Sequence, residues 1–226
     1  IKSLAMHDVD YWFVSHADED HTSGLLEILE QGSLSGIKIE TIVVAEAARD
    51  DPMMNELICK AKQAGVHICY MQIGDCFVQE NVFKITCLGP DAEGGKNIGI
   101  ENQIVIDRND QSLCLLYASN NFEILFTGDA GAEEMVRVME KLAISDDTTS
   151  SLNRATKPLR IIKVPHHGSR YSYVDGMYAG FDYSVVSCGA KNMYGHPHTE
   201  VVEGIEAAGG IVVRTDECGA IEIRAQ

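Results

Sequence analysis

The alternation of apolar and polar positions divides the chain into two stretches with different predicted architectures. In the first stretch, short apolar runs alternate with segments of helical periodicity, a pattern typical of parallel strands joined by helices. The predicted elements are a strand at 10–15, a helix near 22–31, a strand at 41–45, a helix near 52–64 and a strand at 66–70. This stretch is therefore predicted to be α/β.

The second stretch begins with strand-like runs in close succession, which favour an antiparallel or mixed sheet. These runs are Val82–Leu88, Gln103–Asp107, Ser112–Ala118 and Glu123–Thr127, with a hairpin turn at Asn120 and Asn121. The later predicted elements are a helix near Ala132–Leu142, a polar loop at Ser145–Asn153, strands at Arg160–Val164 and Tyr183–Ser187, a helix at Thr199–Ala208, and a closing pair of strands at Ile211–Arg214 and Ala220–Arg224. No linker-like segment interrupts the pattern, so a single domain over residues 1–226 is predicted.

Composition narrows the class of protein. The 226 residues, 45% of them hydrophobic, suit a globular domain with an ordinary core. No apolar run approaches the roughly 20 residues of a membrane-spanning helix, and the start does not resemble a signal peptide. The seven cysteines are scattered without a close C-x-x-C pair, which argues against a disulfide framework and a thiolate zinc site. We therefore expect no transmembrane segment within these residues and a cytoplasmic location, with attachment to a membrane protein as the alternative if the chain is a fragment.

Charge is distributed unevenly. The formal net charge of −16 would repel a polyanion if it were spread evenly over the surface. Residues 151–170 nevertheless contain basic residues and no acidic one: Arg154, Lys157, Arg160, Lys163 and Arg170. This stretch is either a local cationic surface for an anionic partner or a chance solubilising patch.

The segment Ser15–His21 reads Ser-His-Ala-Asp-Glu-Asp-His and directly follows the apolar run Tyr11–Val14. Imidazole and carboxylate side chains therefore meet on a tight loop that leaves a strand; they are His16, Asp18, Asp20 and His21. Divalent cations accept both kinds of ligand, so the segment predicts a metal site. The alternative is a solvated acidic loop that caps the helix starting near Thr22.

Histidines cluster along the chain. Of the eight, all but His7 and His67 fall into three short groups, namely His16 with His21, His166 with His167, and His196 with His198. Packing requirements do not explain such clustering, so a shared chemical role is predicted.

Two further motifs follow predicted strands. Thr127-Gly128-Asp129 places a carboxylate at a strand end, where it is either a metal ligand or the cap of the next helix. Val164 to Ser169 places two imidazoles after another strand. Adjacent histidines do not easily ligate one ion, so one of His166 and His167 is expected to bind metal while the other orients a ligand or touches substrate. Because strand ends at one sheet edge collect ligands, these motifs predict a site for two ions bridged by Asp129.

Four motifs together resemble the metallo-β-lactamase superfamily, and more narrowly the hydrolase domain of ComEC-type competence proteins and their stand-alone relatives. They are His-Ala-Asp-Glu-Asp-His at 16–21, Thr-Gly-Asp at 127–129, Pro-His-His-Gly-Ser at 165–169 and Tyr-Gly-His-Pro-His at 194–198. The resemblance implies a four-layer αββα sandwich with a dinuclear site at one edge of two sheets. The family also has first strands and a glycine-rich segment that would precede Ile1, so these N-terminal strands are expected to be missing from the chain.

The resemblance assigns roles to individual residues. It implies that one ion is held by Asp20, His21, Asp129 and either His166 or His167, and the other by His16, Asp18 and Asp129. It places His196, His198 and Asn192 near the leaving group or phosphate, and Asn109 and Ser112 in the pocket lining. Ser169, Lys163 and Arg170 complete the expected substrate contacts.

The chain departs from the common pattern of the superfamily in its ligands. Asp18 stands where a second histidine is commoner, and no obvious histidine precedes the Thr-Gly-Asp motif. A site with fewer nitrogen and more oxygen donors binds zinc less tightly and accepts manganese or magnesium more readily, so one or two zinc or manganese ions are expected. Met193 stands where the competence branch often has arginine, which removes one phosphate contact.

The function that this implies is metal-dependent hydrolysis of a phosphodiester by hydroxide formed at the ions. Asp20 and Asp129 are the expected catalytic carboxylates, and His196 or His198 protonates the leaving oxygen. The expected substrate is a nucleic acid such as single-stranded DNA, with a link to DNA uptake; no aromatic stacking motif is visible. The alternatives are hydrolysis of a small ester or phosphorylcholine-type phosphodiester, and a catalytically weak metal-binding interaction domain.

Overall fold

The computed structural model describes residues 7–80, 82–91, 96–98, 104–148 and 157–224. The strands are β1 (Asp8–Phe13), β2 (Lys38–Ala45), β3 (His67–Met71), β4 (Cys76–Gln79), β5 (Phe83–Gly89), β6 (Lys96–Ile98), β7 (Ile104–Ile106), β8 (Cys114–Ser119), β9 (Phe122–Phe126), β10 (Leu159–Lys163), β11 (Tyr183–Val186) and β12 (Ile211–Arg214). The helices are α1 (Glu19–Gln31), α2 (Pro52–Gln63), α3 (Ala132–Thr148), α4 (Thr199–Ala207) and the single turn α5 (Thr215–Cys218).

The chain forms two compact units. The first consists of Ile1–Gln72 and Pro90–Leu113, and the second of Ile73–Gly89 and Cys114–Gln226. The assignment of residues 1–226 to one domain stays a prediction.

The first unit contains a parallel sheet in the order β1-β2-β3. The central strand β2 ends in the continuous apolar run Ile42–Ala45, which is fully buried, as expected of a parallel strand covered on both faces. Helix α1 contacts α2. The buried carboxylate of Asp51 precedes α2 and accepts a hydrogen bond from the Met54 backbone N–H at 2.9 Å, while Pro52 occupies the first helical position.

The second unit contains a seven-stranded mixed sheet in the order β12-β11-β10-β9-β8-β5-β4. Strands β9 to β12 are parallel, and β8, β5 and β4 continue the sheet by antiparallel pairing. Its core includes the buried side chains of Leu125, Met135, Ile162, Tyr178 and Ile205. Because the parallel strands run in the same direction, the loops after β9, β10 and β11 leave from the same edge of this sheet.

Most predicted elements are present, with two changes at helix ends. Helix α1 begins at Glu19 and not near Thr22, because the Asp18 backbone is extended and its carbonyl accepts from the N–H groups of His21 and Thr22. Asp20 and His21 therefore lie in the first helical turn and not on a loop. Helix α3 extends to Thr148, so the predicted polar loop does not begin at Ser145, and its remainder, 149–153, falls outside the described residues.

The predicted closing pair of strands is wrong in its second member. Residues 220–224 form no strand; after β12 the chain turns into α5, where Arg214 pairs with Asp216 at 2.7 Å and with Glu217 at 3.1 Å. These ion pairs and the positive φ of Gly219 direct the chain away from a return strand. Ile221 and Ile223 instead line a cavity of about 610 Å³.

The predicted meander also differs in one strand. The hairpin at Asn120 and Asn121 is confirmed by the antiparallel pairing of β8 with β9. Strand β7, predicted within the same meander, pairs instead with β6 in a separate two-stranded sheet. The meander of the second unit is completed by β4, which pairs with β5 and has no counterpart in the pattern-based prediction.

The seven cysteines form no disulfide. Among the helices of the described residues, none combines the length and the apolar character needed to cross a membrane.

Candidate metal centre

The first motif brings its four donor side chains together within the first unit. His16 follows β1 and is 1% exposed. Its ring centroid lies 4.2 Å from that of His21, in the first turn of α1. The Nε2 atom of His16 is 3.8 Å from an Asp18 carboxylate oxygen, and the Nε2 atom of His21 is 3.7 Å from an Asp20 oxygen. Asp20 is largely exposed, whereas the two imidazoles are held inside.

Serine hydroxyls contact the Nδ1 atoms of both imidazoles and so orient the rings. The Ser15 Oγ atom lies 3.2 Å from Nδ1 of His16 and 2.9 Å from Nδ1 of His21. The hydroxyl of Ser112 lies 3.4 Å from the same His16 nitrogen. Hydrogen bonding at Nδ1 leaves Nε2 as the nitrogen suited to a metal ion. Ser112 is fully buried, so its position supports an imidazole, whereas the sequence predicted a contact with substrate.

Arg108 is a neighbour of this cluster that sequence analysis missed. Its Nε atom lies 2.9 Å from the buried Asp51 carboxylate, and its NH1 atom lies 3.7 Å from an Asp18 oxygen. The Asp51 carboxylate, which caps α2, therefore also holds the Arg108 guanidinium beside Asp18, a candidate metal ligand. No local pattern signals this contact, because Arg108 and Asp51 are far apart in the sequence. Asn109, which was predicted to line the pocket, directly follows Arg108 in the chain. Its backbone N–H donates a hydrogen bond to the Asp107 carboxylate.

In the second unit, Asp129 follows β9 at the predicted position. Gly128 adopts a φ of 53°, which turns the chain sharply, and its carbonyl accepts from Lys163 Nζ at 2.6 Å and from the His166 N–H at 3.2 Å. Asp129 is 3% exposed. Helix α3 begins at Ala132, so Asp129 does not occupy the capping position that was its alternative role.

The histidine pair after β10 has an unusual backbone. His166 and His167 have φ values of 46° and 55°, a left-handed conformation that costs an L-residue about 1 kcal/mol or more. This turn places His167 Nε2 3.1 Å from Asp129 Oδ2 and His167 Nδ1 2.6 Å from the Ser187 carbonyl oxygen. The hydrogen bond to Asp129 raises the pKa of His167 above its usual value, although burial opposes it. The strained turn thus aims His167 at Asp129.

The third histidine group lies beside the second. The His196 ring centroid is 5.7 Å from that of His166 and 4.9 Å from that of His198. Burial, then the neighbouring imidazoles, lower the pKa of His196 to about 4, so this ring is neutral at pH 7. His198 Nδ1 accepts a hydrogen bond from the Arg170 backbone N–H at 3.1 Å, which leaves Nε2 as its protonated nitrogen.

Asn192 and Ser169, both predicted substrate contacts, hold these loops in place. The Asn192 amide donates to the His196 carbonyl at 2.8 Å and accepts from the His196 N–H at 2.8 Å. Ser169 is 2% exposed, and its hydroxyl accepts from the Tyr171 N–H at 3.4 Å. The structure therefore places both residues where they shape the loops that carry the histidines.

The cationic stretch predicted at 151–170 is largely neutralised by carboxylates. Arg160 lies 3.2 Å from Glu123, Lys163 lies 3.3 Å from Asp129, and Arg170 lies 3.1 Å from Glu200. Lys157 is exposed, and Arg154 falls outside the described residues. The described part of this stretch is therefore not a continuous positive surface, because the fold brings acidic side chains from other segments against it.

Gly168 allows the second and third histidine loops to approach each other. A Cβ atom at this position would lie 2.5 Å from Pro197 Cβ and 2.9 Å from Pro197 Cα, and Gly168 has a φ of 86°. We expect Gly168→Ala to displace the loop of His196 and His198 and to lower the metal-dependent hydrolysis that the sequence predicts about 10- to 100-fold. Steady-state kinetics on the metal-loaded protein measure the effect.

Gly176→Ala is the matched control for this variant. Gly176 has a similar φ of 78°, and nothing lies within 4 Å of an added Cβ. The control therefore carries the backbone strain, about 1 kcal/mol, without the clash. Equal turnover in the two variants would contradict a role for the contact between Gly168 and Pro197.

The chain is similar to a curated protein over almost its whole length. No family model matches the chain. ComE operon protein 3 of Bacillus subtilis (strain 168), a ComEC-type protein, is 25% identical over 229 residues, which cover 99% of this chain and 26% of that protein. The chain thus spans about a quarter of the length of this curated relative.

Two solved structures with the metallo-β-lactamase fold are similar to the chain. A mutant of CmlA beta-hydroxylase has a TM-score of 0.52 and 10% identity, covering 92% of this chain and 43% of that protein. Zn²⁺-bound PqqB from Methylobacterium extorquens has a TM-score of 0.43 and 9% identity, covering 91% of this chain and 71% of that protein. The similarity to the CmlA structure shows that the chain has the α/β metallo-β-lactamase fold that its motifs predicted. Over almost its whole length the chain is also similar to part of a ComEC-type protein.

Proposed function

We propose that the chain is a metal-dependent phosphodiesterase with nuclease activity. The observation that carries the proposal is the arrangement at Asp129, where a buried carboxylate and an imidazole nitrogen of His167 lie 3.1 Å apart. The other nitrogen of that ring is bonded to the Ser187 carbonyl. A histidine whose second ring nitrogen is hydrogen-bonded to a backbone carbonyl is typical of a metal ligand. A bound cation would take the place of the proton on His167 Nε2, which the Asp129 carboxylate now stabilises.

The donors present fit divalent metal ions. In the first unit the proposed ligands are His16, Asp18, Asp20 and His21, and in the second unit they are Asp129 and His167. Each set combines imidazole nitrogen with carboxylate oxygen, which suits zinc or manganese, and one or two ions are proposed. Of the adjacent histidines, we assign His167 as the ligand, because its Nε2 atom lies 3.1 Å from Asp129 while its Nδ1 atom is hydrogen-bonded to the Ser187 carbonyl.

The ions, when bound, supply Lewis acidity at the phosphoryl group and lower the pKa of water to about 7. The residues of the chain hold and orient the reacting groups. His198 carries a proton on Nε2, since its Nδ1 accepts from Arg170, and is the proposed donor to the leaving oxygen. His196 is neutral at pH 7 and is better suited to accept a hydrogen bond.

Arg170 is the proposed phosphate contact of the second unit. Arg170 and Glu200 are each 50% exposed, and an ion pair in this position contributes at most about 1 kcal/mol. The guanidinium can therefore exchange its carboxylate partner for a substrate phosphate at little cost. The Lys163 ammonium donates to the Gly128 carbonyl and to the Asp129 carboxylate, so its proposed role is to position that carboxylate.

Single-stranded DNA is the proposed substrate, and DNA uptake the proposed context, by analogy with the ComEC-type relative. Hydrolysis of a small phosphodiester, such as a phosphorylcholine-type ester, is the second candidate. The pairing of Arg160 and Lys163 with carboxylates favours this candidate, because these two side chains then offer a polyanion little positive charge.

Metal-dependent turnover tests the proposal. The purified chain is stripped with a chelator, reloaded with Zn²⁺ or Mn²⁺, and assayed with bis-p-nitrophenyl phosphate and with single-stranded DNA, while bound metal is counted by mass spectrometry. We expect turnover of both substrates only in the reloaded protein. His167→Ala should lose bound metal and turnover, whereas the control His67→Ala, which changes a histidine outside the three groups, should keep both.

The outcomes separate the alternatives. Turnover of bis-p-nitrophenyl phosphate without cleavage of DNA would favour the small phosphodiester. Metal binding without turnover of either substrate would contradict an enzymatic role and favour an interaction domain.

A further inference from the structure

Large side chains are exposed on the two loops that carry the histidines of the second unit. Tyr171 is 78% exposed, Met193 is 94% exposed and Tyr194 is 74% exposed. Tyr171 follows the Pro-His-His-Gly-Ser motif, and the other two precede His196. Exposed apolar side chains on loops that border a candidate active site are typical of a binding surface.

Tyr194 is the outer member of a series of nearly parallel rings. Its ring stacks on that of His196, with centroids 5.6 Å apart and an interplanar angle of 23°. The His196 ring in turn stacks on that of His167, with centroids 6.4 Å apart and an angle of 15°. His167 contacts Asp129 at the inner end. A flat ring that stacks on Tyr194 would thus continue a series that ends at the proposed metal ligands.

The two loops are braced against each other. The His198 N–H donates to the Gly168 carbonyl at 2.9 Å, and the Arg170 N–H donates to His198 at 3.1 Å. Asn192 holds His196 from the other side with two hydrogen bonds of 2.8 Å. Because these bonds fix the backbone around Tyr171 and Tyr194, little conformational entropy is lost when a flat ligand binds there.

We propose that the exposed faces of Tyr194 and Tyr171 stack nucleobases of a single-stranded nucleic acid whose phosphodiester is held beside Asp129. This inference rests on the proposed function and names the side chains that would bind the bases of its substrate. Stacking on an aromatic side chain accepts any base, since every base has a flat π-face, and a duplex would hide those faces. Arg170 directly precedes Tyr171 and its ion pair with Glu200 is exposed, so its guanidinium is the proposed contact for a neighbouring phosphate.

The parallel arrangement of the rings decides between a base and a choline group. A quaternary ammonium is held by aromatic rings that enclose it, whereas a base is held by rings parallel to its own plane. The rings of Tyr194, His196 and His167 lie within 23° of parallel from one to the next. This geometry favours a nucleobase.

Binding measurements in the presence of a chelator test the inference independently of cleavage. The probe is a fluorescein-labelled oligothymidylate of about ten nucleotides, within the range bound by single-strand binding sites. An abasic oligonucleotide of equal length and charge is the comparison, and fluorescence anisotropy reports Kd. We expect Tyr194→Ala to weaken binding of the oligothymidylate about tenfold, as loss of one stacked base predicts, and to leave binding of the abasic strand unchanged.

Two further variants identify stacking as the cause. Tyr194→Phe keeps the ring and should retain the affinity of the original chain. Tyr11→Ala removes a tyrosine that is 50% exposed in the first unit and should change neither Kd. Since neither substitution is read through turnover, the result stands even if the chain hydrolyses no phosphodiester.

Several results would overturn the inference. Equal weakening for the base-bearing and abasic strands would mean that Tyr194 acts through the loop and not through a base. The same applies if Tyr194→Phe binds as weakly as Tyr194→Ala. Competition by thymidine monophosphate as strong as by the oligonucleotide would assign the surface to a free nucleotide, and stronger competition by phosphorylcholine would assign it to a choline ester.

Discussion

Asp129→Asn is expected to lower metal-dependent turnover more than about 100-fold and to reduce the metal bound per chain. The carboxylate is buried and lies 3.1 Å from His167 Nε2 and 3.3 Å from Lys163 Nζ. An amide has nearly the same shape but carries no negative charge, so it cannot balance a divalent cation. The substitution also removes the carboxylate that raises the pKa of His167. The measurements are kcat/KM with bis-p-nitrophenyl phosphate and metal content by mass spectrometry.

The control for this variant is Asp175→Asn, which changes an exposed aspartate of the same unit. It should leave turnover and metal content as they were. Circular dichroism and thermal unfolding of the metal-free proteins show whether Asp129→Asn keeps the fold, as its similar shape predicts. If Asp129→Asn retained full turnover, Asp129 would be excluded as a metal ligand.

Asp51→Ala is expected to lower the free energy of unfolding by about 2–3 kcal/mol. The Asp51 carboxylate is buried, caps α2 through the Met54 N–H at 2.9 Å and binds Arg108 Nε at 2.9 Å. Alanine leaves a helical N–H without its acceptor and removes the anchor of a guanidinium. Because the Arg108 side chain is 37% exposed, water can solvate it, so the loss stays below that of a fully buried ion pair.

Urea unfolding followed by circular dichroism measures this effect. Asp50→Ala is the matched control, since Asp50 is the adjacent aspartate and is exposed. Asp51→Asn keeps an oxygen acceptor for the Met54 N–H and should lose only part of the stability. Equal unfolding midpoints for Asp51→Ala and Asp50→Ala would contradict the structural role of Asp51.

The donor groups were predictable because each is local in sequence. His16, Asp18, Asp20 and His21 lie within one turn after a strand, and such short segments allow few arrangements. The Thr-Gly-Asp and Pro-His-His-Gly-Ser motifs follow apolar runs, so their positions at strand ends follow from the hydrophobic pattern alone. The structure places these strands next to each other as a parallel pair in one mixed sheet.

Which of His166 and His167 lies against Asp129 was not predictable from the sequence. It depends on two left-handed residues and on the Ser187 carbonyl, which comes from a different strand end. The exposed Tyr171 and Tyr194 were missed for a similar reason. They stand on separate loops, and no local spacing reveals that both loops border the same histidines.

The wrongly predicted strand at residues 220–224 also shows that local pattern does not determine contacts between distant segments. The alternation of residues 220–224 is typical of a strand, but pairing also requires a turn that returns the chain to β12. The ion pairs of Arg214 with Asp216 and Glu217 instead accompany a helical turn.

By itself, the sequence determined the α/β class, the motifs and the chemical type of each donor, because periodicity and side-chain chemistry are properties of neighbouring residues. Only the tertiary structure decided which imidazole faces Asp129, which groups Ser112, Ser169 and Asn192 hydrogen-bond, and which carboxylates pair with the cationic stretch. Those features depend on contacts between residues distant in the chain, whose geometry is set by the packing of strands and loops and not by local pattern.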